Sequence, residues 1–282
     1  MPGSNQRAIE KAKGLAADSL VLDLEDAVAP QAKAEARKQV VKAVRAGGFG
    51  RREIIVRVNG MDTEWGRDDL TAVANTPLDG VLLPKVETPQ DIQHAVEILD
   101  AAGGPPNLPL WFMAETPRGI LGAESIAASS PRLTCLVVGT ADLAKDLRVV
   151  KTPDRSPLLT SLSLCVLAAR AHGLDVLDGV HELLNDETGF AAACRQGREL
   201  GFDGKTLIHP RQVEYANRAF SPSEEEIGAA KEIVDTWEAA HAAGHGVTVV
   251  RGRLAEKLHA EQARRILELA AAIAALSEDV AG

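Results

Sequence analysis

The chain has 282 residues, with 31 Lys and Arg against 40 Asp and Glu, a formal net charge of −9 at pH 7. That surplus repels nucleic acid and anionic membrane, and an aromatic content of 3% leaves few rings on which bases could stack. Apolar residues at 45% and charged residues at 25% describe an ordinary globular domain and exclude a disordered chain.

The opening residues, MPGSNQRAIEKAKG, lack the apolar core of a signal peptide. No stretch reaches the ~18 to 20 unbroken apolar residues of a membrane span, because Ser, Thr, Arg170 or Glu268 interrupts the longest ones. Cys135, Cys165 and Cys194 are far apart and odd in number. They suit small buried residues in a reducing compartment, not a zinc site or a disulfide frame. The expectation is a soluble cytoplasmic protein with no nucleic-acid or membrane partner.

In chain order, Asn5–Ala17 has helical spacing and implies a strand before it. β-Rich runs follow at Ser19–Leu24, Glu53–Val58, Gly80–Lys85, Leu110–Glu115, Cys135–Gly139, Asp175–Val180 and Gly204–His209. Ala-rich stretches with helical spacing lie between them, at Gln31–Arg45, Pro89–Ala102, Ala123–Ala128, Leu158–His172 and Thr188–Leu200. Such alternation predicts a parallel sheet with helical crossovers. Gly47, Gly103, Gly173 and Gly201 fall where left-handed C-caps would end helices. Seven strands are visible where a closed barrel needs eight, so the first is expected upstream of Met1. The predicted fold is α/β, a (β/α)8 TIM barrel over residues 1–220 whose first strand is missing from this chain.

Residues 221–282 are expected to form a C-terminal helical extension, as a lid or an oligomerisation element. Ser221 would be the N-cap, Pro222 the first helical residue and Glu224 the closing member of a capping box. Ile227, Val234 and Trp237 give that helix an apolar side. Gly244-His245-Gly246 breaks it, and Val247–Val250 could be a strand. Leu254, Leu258, Ile266, Leu269, Ile273 and Leu276 then make one stripe on a last helix.

Charges gather at the strand ends. Asp23, Glu25 and Asp26 close the first run, Arg57 and Asn59 the second, Lys85 the third, Glu115 the fourth and Asp178 the sixth; Asp142 follows the fifth, and Lys205 lies in the seventh. Each alone is as readily a structural ion pair. Together they mark the carboxyl ends of the strands, where sites of this architecture lie. Six carboxylates against three cations leave a deficit that a divalent ion would largely offset, and without His/Cys spacing a hard, oxygen-bound ion such as Mg²⁺ fits best.

The stretches LDLEDAVAP (22–30), RVNGMDTEWGRDDL (57–70), LLPKVETP (82–89), ETPRGIL (115–121), VVGTADLAKDL (137–147) and GFDGKTLIHPRQV (201–213) span nearly the whole chain. In them the chain resembles the citrate lyase beta-subunit-like family of the HpcH/HpaI aldolase superfamily, which includes the malyl-CoA, β-methylmalyl-CoA and citramalyl-CoA lyases. The resemblance implies a barrel that assembles as a homotrimer or hexamer. It implies Mg²⁺ held by Glu115 and Asp142, with Glu25 and Asp26 on its waters. Arg57 would contact the substrate's thioester or carbonyl oxygen. The N–H groups of Gly139 and Thr140 would hold the small acid's carboxylate. Lys85 and Glu87 would organise the site, and Lys205–Pro210 would lie near the CoA entrance. In GRLAEK (252–257), Glu256 stands where several lyases place a lid aspartate.

The implied reaction is Mg²⁺-dependent carbon–carbon cleavage of a 3-hydroxy-dicarboxylyl-CoA to an acyl-CoA and an oxo-acid. The alternatives are a (3S)-malyl-CoA thioesterase on the same barrel, which the glutamate at 256 leaves open, and a citrate lyase beta subunit needing an acyl-carrier partner. His209 reads equally as a structural hydrogen-bonder. His181, His241 and His245 show no partner spacing and read as surface or loop residues. Gly47-Gly48-Phe49-Gly50 ends a helix and is no dinucleotide fingerprint.

Overall fold

The computed structural model describes residues 1–280. In chain order the elements are α1 (Gln6–Ala12), β1 (Ser19–Asp23), α2 (Lys33–Ala46), β2 (Glu53–Arg57), α3 (Gly66–Val73), β3 (Gly80–Leu83), α4 (Pro89–Ala101), β4 (Leu110–Ala114), α5 (Pro117–Leu121) and α6 (Ala123–Ala127). There follow β5 (Leu133–Val138), α7 (Thr140–Leu147), α8 (Leu159–Ala171), β6 (Asp175–Asp178), α9 (Glu187–Leu200), β7 (Gly204–Lys205), α10 (Val213–Phe220), α11 (Glu224–Ala242), β8 (Thr248–Val250), β9 (Arg253–Ala255) and α12 (Lys257–Val280).

All seven expected strands form, and they pair in parallel in sequence order from β1 to β7. Among the described residues β7 does not pair back to β1, so the eight-stranded closure expected from sequence is replaced by a seven-stranded sheet. Met1–Gly3 lies beside the end of β1, where Pro2 bridges Asp23 in parallel. The run expected as strand to His209 stops at Lys205, and His209 caps a 3₁₀ turn at Pro210–Gln212. Gly47, Gly103, Gly173 and Gly201 all adopt positive φ, between 65° and 99°, as C-caps require.

Inside the sheet, alternate residues of four strands stack into one buried cluster: Ile55, Leu82, Trp111, Met113, Cys135 and Val137. Each such side chain removed from water contributes roughly 1.5–3 kcal/mol for the larger ones. Asp23, Arg57 and Glu115 follow Val21, Ile55 and Met113 by two residues on the same face, so they cap this apolar layer at its carboxyl end. The alternate residues Val56, Val81, Phe112 and Leu136 are fully buried too, which accounts for the unbroken apolar runs of a sheet covered on both sides.

The chain divides into two compact units, Met1–Ala219 and Phe220–Gly282. In the second, the N-cap of α11 is Ser223 and not Ser221: its side chain accepts from Glu226 N–H at 3.2 Å while Glu226 accepts from Ser223 N–H at 2.7 Å. Two overlapping S-x-x-E patterns compete here, and the later one closes the box. β8 and β9 form an antiparallel hairpin, so Leu254 belongs to a strand and not to the final helix. Trp237 of α11 stacks on His241 with centroids 4.7 Å apart, which gives that histidine a partner its spacing did not predict. Among the described residues no helix is long and apolar enough to cross a membrane, and the three cysteines are free and buried.

Candidate active site

Asp23 and Arg57 are register partners across β1 and β2. Arg57 donates from Nε to Asp23 Oδ1 at 2.7 Å and from Nη2 to Oδ2 at 2.6 Å. Asp23 also accepts from the backbone N–H of Glu25 at 2.9 Å and of Ala27 at 3.1 Å, which shapes the acidic turn after β1. Burial alone would push the Asp23 carboxyl up; the guanidinium and the two amides outweigh it and hold the carboxyl below its ordinary value. The remaining Nη1 of Arg57 stands 2.9 Å from Glu25 Oε2 and 3.7 Å from the Met113 sulfur. Burial opposes the charge on Arg57, and the carboxylates of Asp23, Glu25 and Glu115 more than restore it.

Lys85 ties two carboxylates together. Its backbone is left-handed, with φ 50°, an uncommon conformation for a residue with a Cβ. In that conformation its N–H donates to Glu115 Oε1 at 2.8 Å while its Nζ reaches Glu25 Oε1 at 2.5 Å and stands 3.8 Å from Asp26 Oδ1. Burial is the main force on Glu115, and with the nearby charges of Glu25 and Asp142 it raises the carboxyl to about 7 against the pull of the Lys85 N–H and Arg57. Glu25 is raised as well, by burial first and by Asp26, while Arg57 and Lys85 pull it down.

Gly139 ends β5 directly against Glu115. A Cβ there would overlap Glu115 Oε2 and Cβ, so only glycine leaves room for the carboxylate. Its N–H donates to Ala114 O at 3.1 Å, continuing the ladder, and is therefore engaged, contrary to the expectation that it holds a ligand. The N–H groups without an intrahelical acceptor begin at Thr140, the first residue of α7. Asp142, in the first turn of α7, is partly exposed and accepts from Lys145 Nζ at 3.1 Å.

Other expected residues separate from this group. Glu87 faces Arg118 at 3.5 Å, not the carboxylate cluster. Lys205 is fully buried on Asp178 at 2.7 Å, so its side chain cannot line a ligand entrance. His209 Nδ1 accepts from Arg211 N–H at 3.1 Å, the structural alternative. His181 is only 17% exposed, 3.5 Å from Asp186 Oδ2 and against the Phe190 ring, so it is partnered after all; His245 is exposed. Glu256 stands in the second unit just before α12, its N–H donating to His259 Nδ1 at 3.1 Å.

One supporting residue had no sequence signal beyond its place nine residues after Leu24. Lys33 of α2 is buried and donates to Leu24 O at 3.0 Å, Glu25 O at 2.9 Å and Asn59 Oδ1 at 2.6 Å. Asn59 in turn donates to Leu24 O at 2.9 Å and to buried Asp69, which Arg37 also holds at 2.6 Å. This network fixes the backbone from which Glu25 projects.

With Asp178 and Lys205 set apart, Asp23, Glu25, Asp26, Glu115 and Asp142 face Arg57 and Lys85, with the exposed Lys145 on Asp142, so carboxylates still outnumber cations. Glu25 Oε2 is buried without an aligned hydrogen bond. Among the described residues no three His, Cys, Asp or Glu converge as a complete metal cage. A hard divalent ion taking two carboxylates and completing its shell from water and ligand oxygens fits that donor set.

The chain belongs to the HpcH/HpaI aldolase/citrate lyase family, whose model matches residues 1–210, and it is therefore an enzyme. It is 52% identical over 275 residues to a (3S)-malyl-CoA thioesterase of Cereibacter sphaeroides (strain ATCC 17025 / ATH 2.4.3), covering 98% of this chain and 94% of that protein. It is 37% identical over 299 residues to an L-malyl-CoA/beta-methylmalyl-CoA lyase of C. sphaeroides (strain ATCC 17029 / ATH 2.4.9), covering 97% and 94%. Its structure is similar to that of the protein CitE from Mycobacterium tuberculosis in complex with magnesium, acetoacetate and coenzyme A. The TM-score is 0.78 at 28% identity, over 96% of each chain.

Proposed function

We propose that this enzyme hydrolyses the thioester of a malyl-CoA-type 3-hydroxy-dicarboxylyl-CoA on a (β/α)8-type frame. The observation that carries this reading is the 52% identity, over nearly the whole chain, to a (3S)-malyl-CoA thioesterase. In the reaction the C–S bond breaks, a water oxygen adds to the carbonyl carbon, and malate and free CoA leave.

Glu115 and Asp142 would hold Mg²⁺, with Glu25 and Asp26 on its waters, as the donor set and the magnesium bound by the similar CitE structure suggest. When bound, such an ion supplies Lewis-acid polarisation of a ligand oxygen. Arg57, fixed by Asp23, presents its Nη1 edge to charge developing on the thioester oxygen; a well-placed donor of this kind is worth about 3 kcal/mol. Its direction is already set, so substrate binding need not order it. The N–H groups of the first turn of α7, from Thr140, receive the free carboxylate of the acid, with Gly139 as the spacer that admits Glu115. Lys85 holds Glu25 and Glu115 in one geometry. Glu256 is assigned the proton transfer between water and leaving group.

The second reading, carbon–carbon cleavage, is favoured by the 37% identity to the lyase. It would use the same residues with Arg57 on an enolate oxygen. One assay separates the two: with malyl-CoA and Mg²⁺, free thiol and malate without glyoxylate establish hydrolysis. Glyoxylate and acetyl-CoA in equal amounts overturn it in favour of the lyase. The assembly proposed is a homotrimer or hexamer, measured by light scattering.

A further inference from the structure

A second charged cluster closes the carboxyl ends of β6 and β7. Asp178 and Lys205 are register partners, and both side chains are 0% exposed. Lys205 Nζ donates to Asp178 Oδ2 at 2.7 Å and to the carbonyl of Gly179. Arg155 sets Nη1 2.8 Å from both carboxylate oxygens of Asp178, and its Nε donates to Gln196 Oε1 at 2.8 Å. Arg155 does so from a left-handed backbone, φ 54°. Gly179 N–H returns to Asp178 Oδ1 at 2.8 Å, and Thr206 N–H donates to Asp178 O at 2.9 Å.

Two cations on one carboxylate exceed what pairing requires. A buried ion cluster is often no more stable than apolar residues of the same volume, so stability alone is a weak reason for it. Its geometry points to what it holds. The clamped turn Gly179–Val180 presses on Thr140: a Cβ on Gly179 would overlap the Thr140 hydroxyl and lie 2.7 Å from Val138 O. The Thr140 hydroxyl itself donates to Val180 O at 3.5 Å. Thr140 begins α7, whose first turn also carries Asp142.

We propose that Arg155, Asp178 and Lys205 are positioning residues for the substrate's free carboxylate, acting by clamping Gly179–Val180 so that Thr140 and the first turn of α7 stand in place. This rests on the reading above in which that turn receives the carboxylate. None of the three needs to touch substrate. The cluster sits across the sheet order from the Asp23–Arg57 pair, at the last strands where that pair is at the first.

The test is Lys205→Met, with Gly179→Ala as a second variant that displaces Thr140 without altering buried charge. Malate binding in the presence of Mg²⁺ is measured by calorimetry, beside kcat and KM for malyl-CoA and for 3-hydroxybutyryl-CoA, which lacks the free carboxylate. Expected for both variants are malate affinity weakened roughly ten- to hundredfold, KM for malyl-CoA raised alike with kcat changed less, and KM for 3-hydroxybutyryl-CoA unmoved. Wild-type malate affinity and KM retained in either folded variant, with only the melting temperature lowered, would overturn the proposal. Wild-type protein that binds malate without turning over malyl-CoA would sink the functional reading while the malate comparison still decides this one; wild-type protein that does neither removes both.

Discussion

Asp23 and Arg57 face each other in register on adjacent parallel strands and share two hydrogen bonds of 2.7 and 2.6 Å. The pair is a rung of the sheet as much as a side-chain contact. A one-residue slip between β1 and β2 would turn one member to the opposite face.

Asp23→Asn makes neutral the partner that accepts two of the hydrogen bonds of a mostly buried guanidinium and leaves Glu25 as its nearest carboxylate, and the expected loss of stability is about 3 kcal/mol. The pH dependence follows from the lowered folded value of the carboxyl. The unfolded chain takes up the proton first, so the pair's contribution is complete above about pH 4 and disappears as the pH falls through the folded value. Urea midpoints between pH 3 and 7 should decline at the acid end more steeply in the wild type than in Asp23→Asn. Parallel curves would refute the assignment.

Glu115→Gln keeps the size of the side chain and an acceptor for the Lys85 N–H but removes a charge that burial and two neighbouring carboxylates disfavour. Thermal stability should rise by a few degrees while Mg²⁺-dependent turnover falls about a hundredfold or more. A calorimetric scan beside a rate assay checks both. A lower melting temperature with activity retained would reverse the reading of this residue.

Gly139→Ala places a methyl group where Glu115 now lies. The expected outcome is a folded protein, by circular dichroism, whose kcat/KM drops about a hundredfold because a carboxylate shifted by about 1 Å no longer meets its ligand. Wild-type activity in this variant would show that Glu115 is not where the chemistry depends on it.

Glu256→Gln removes a proton carrier without changing length. If Glu256 transfers the proton, kcat falls about a hundredfold or more, KM stays within about twofold, and the product remains malate. Unchanged kcat would return Glu256 to the role of a residue that only leads into α12.

The strand ends were legible in the sequence because charged residues gather at the carboxyl ends of most of the β-rich runs. Glu25, Arg57, Lys85, Glu115 and Asp142 were recognisable on that ground. Two aspects were not. The backbone of Lys85 is left-handed, and no local residue type announces that, since the conformation is imposed by ligation at both ends of the residue. Arg155 comes from an irregular stretch before α8, so its partnership with Asp178 depends on tertiary proximity across 23 residues, which periodicity does not encode. The capping of α11 at Ser223 and not Ser221 is a smaller case: two patterns of equal local quality overlapped, and packing chose.

Because the strands stand in space in the order in which they are synthesised, the charges of the site arrive in a definite succession. The three carboxylates after β1 come first, then Arg57, then Lys85, and only afterwards Glu115 and Asp142. A nascent chain that adds its strands one by one therefore loses acidic excess through the third strand and regains it from the fourth. The acidic excess that Arg57 and Lys85 cut from three charges to one returns to three only when Glu115 and Asp142 follow, after the first three strands have been synthesised.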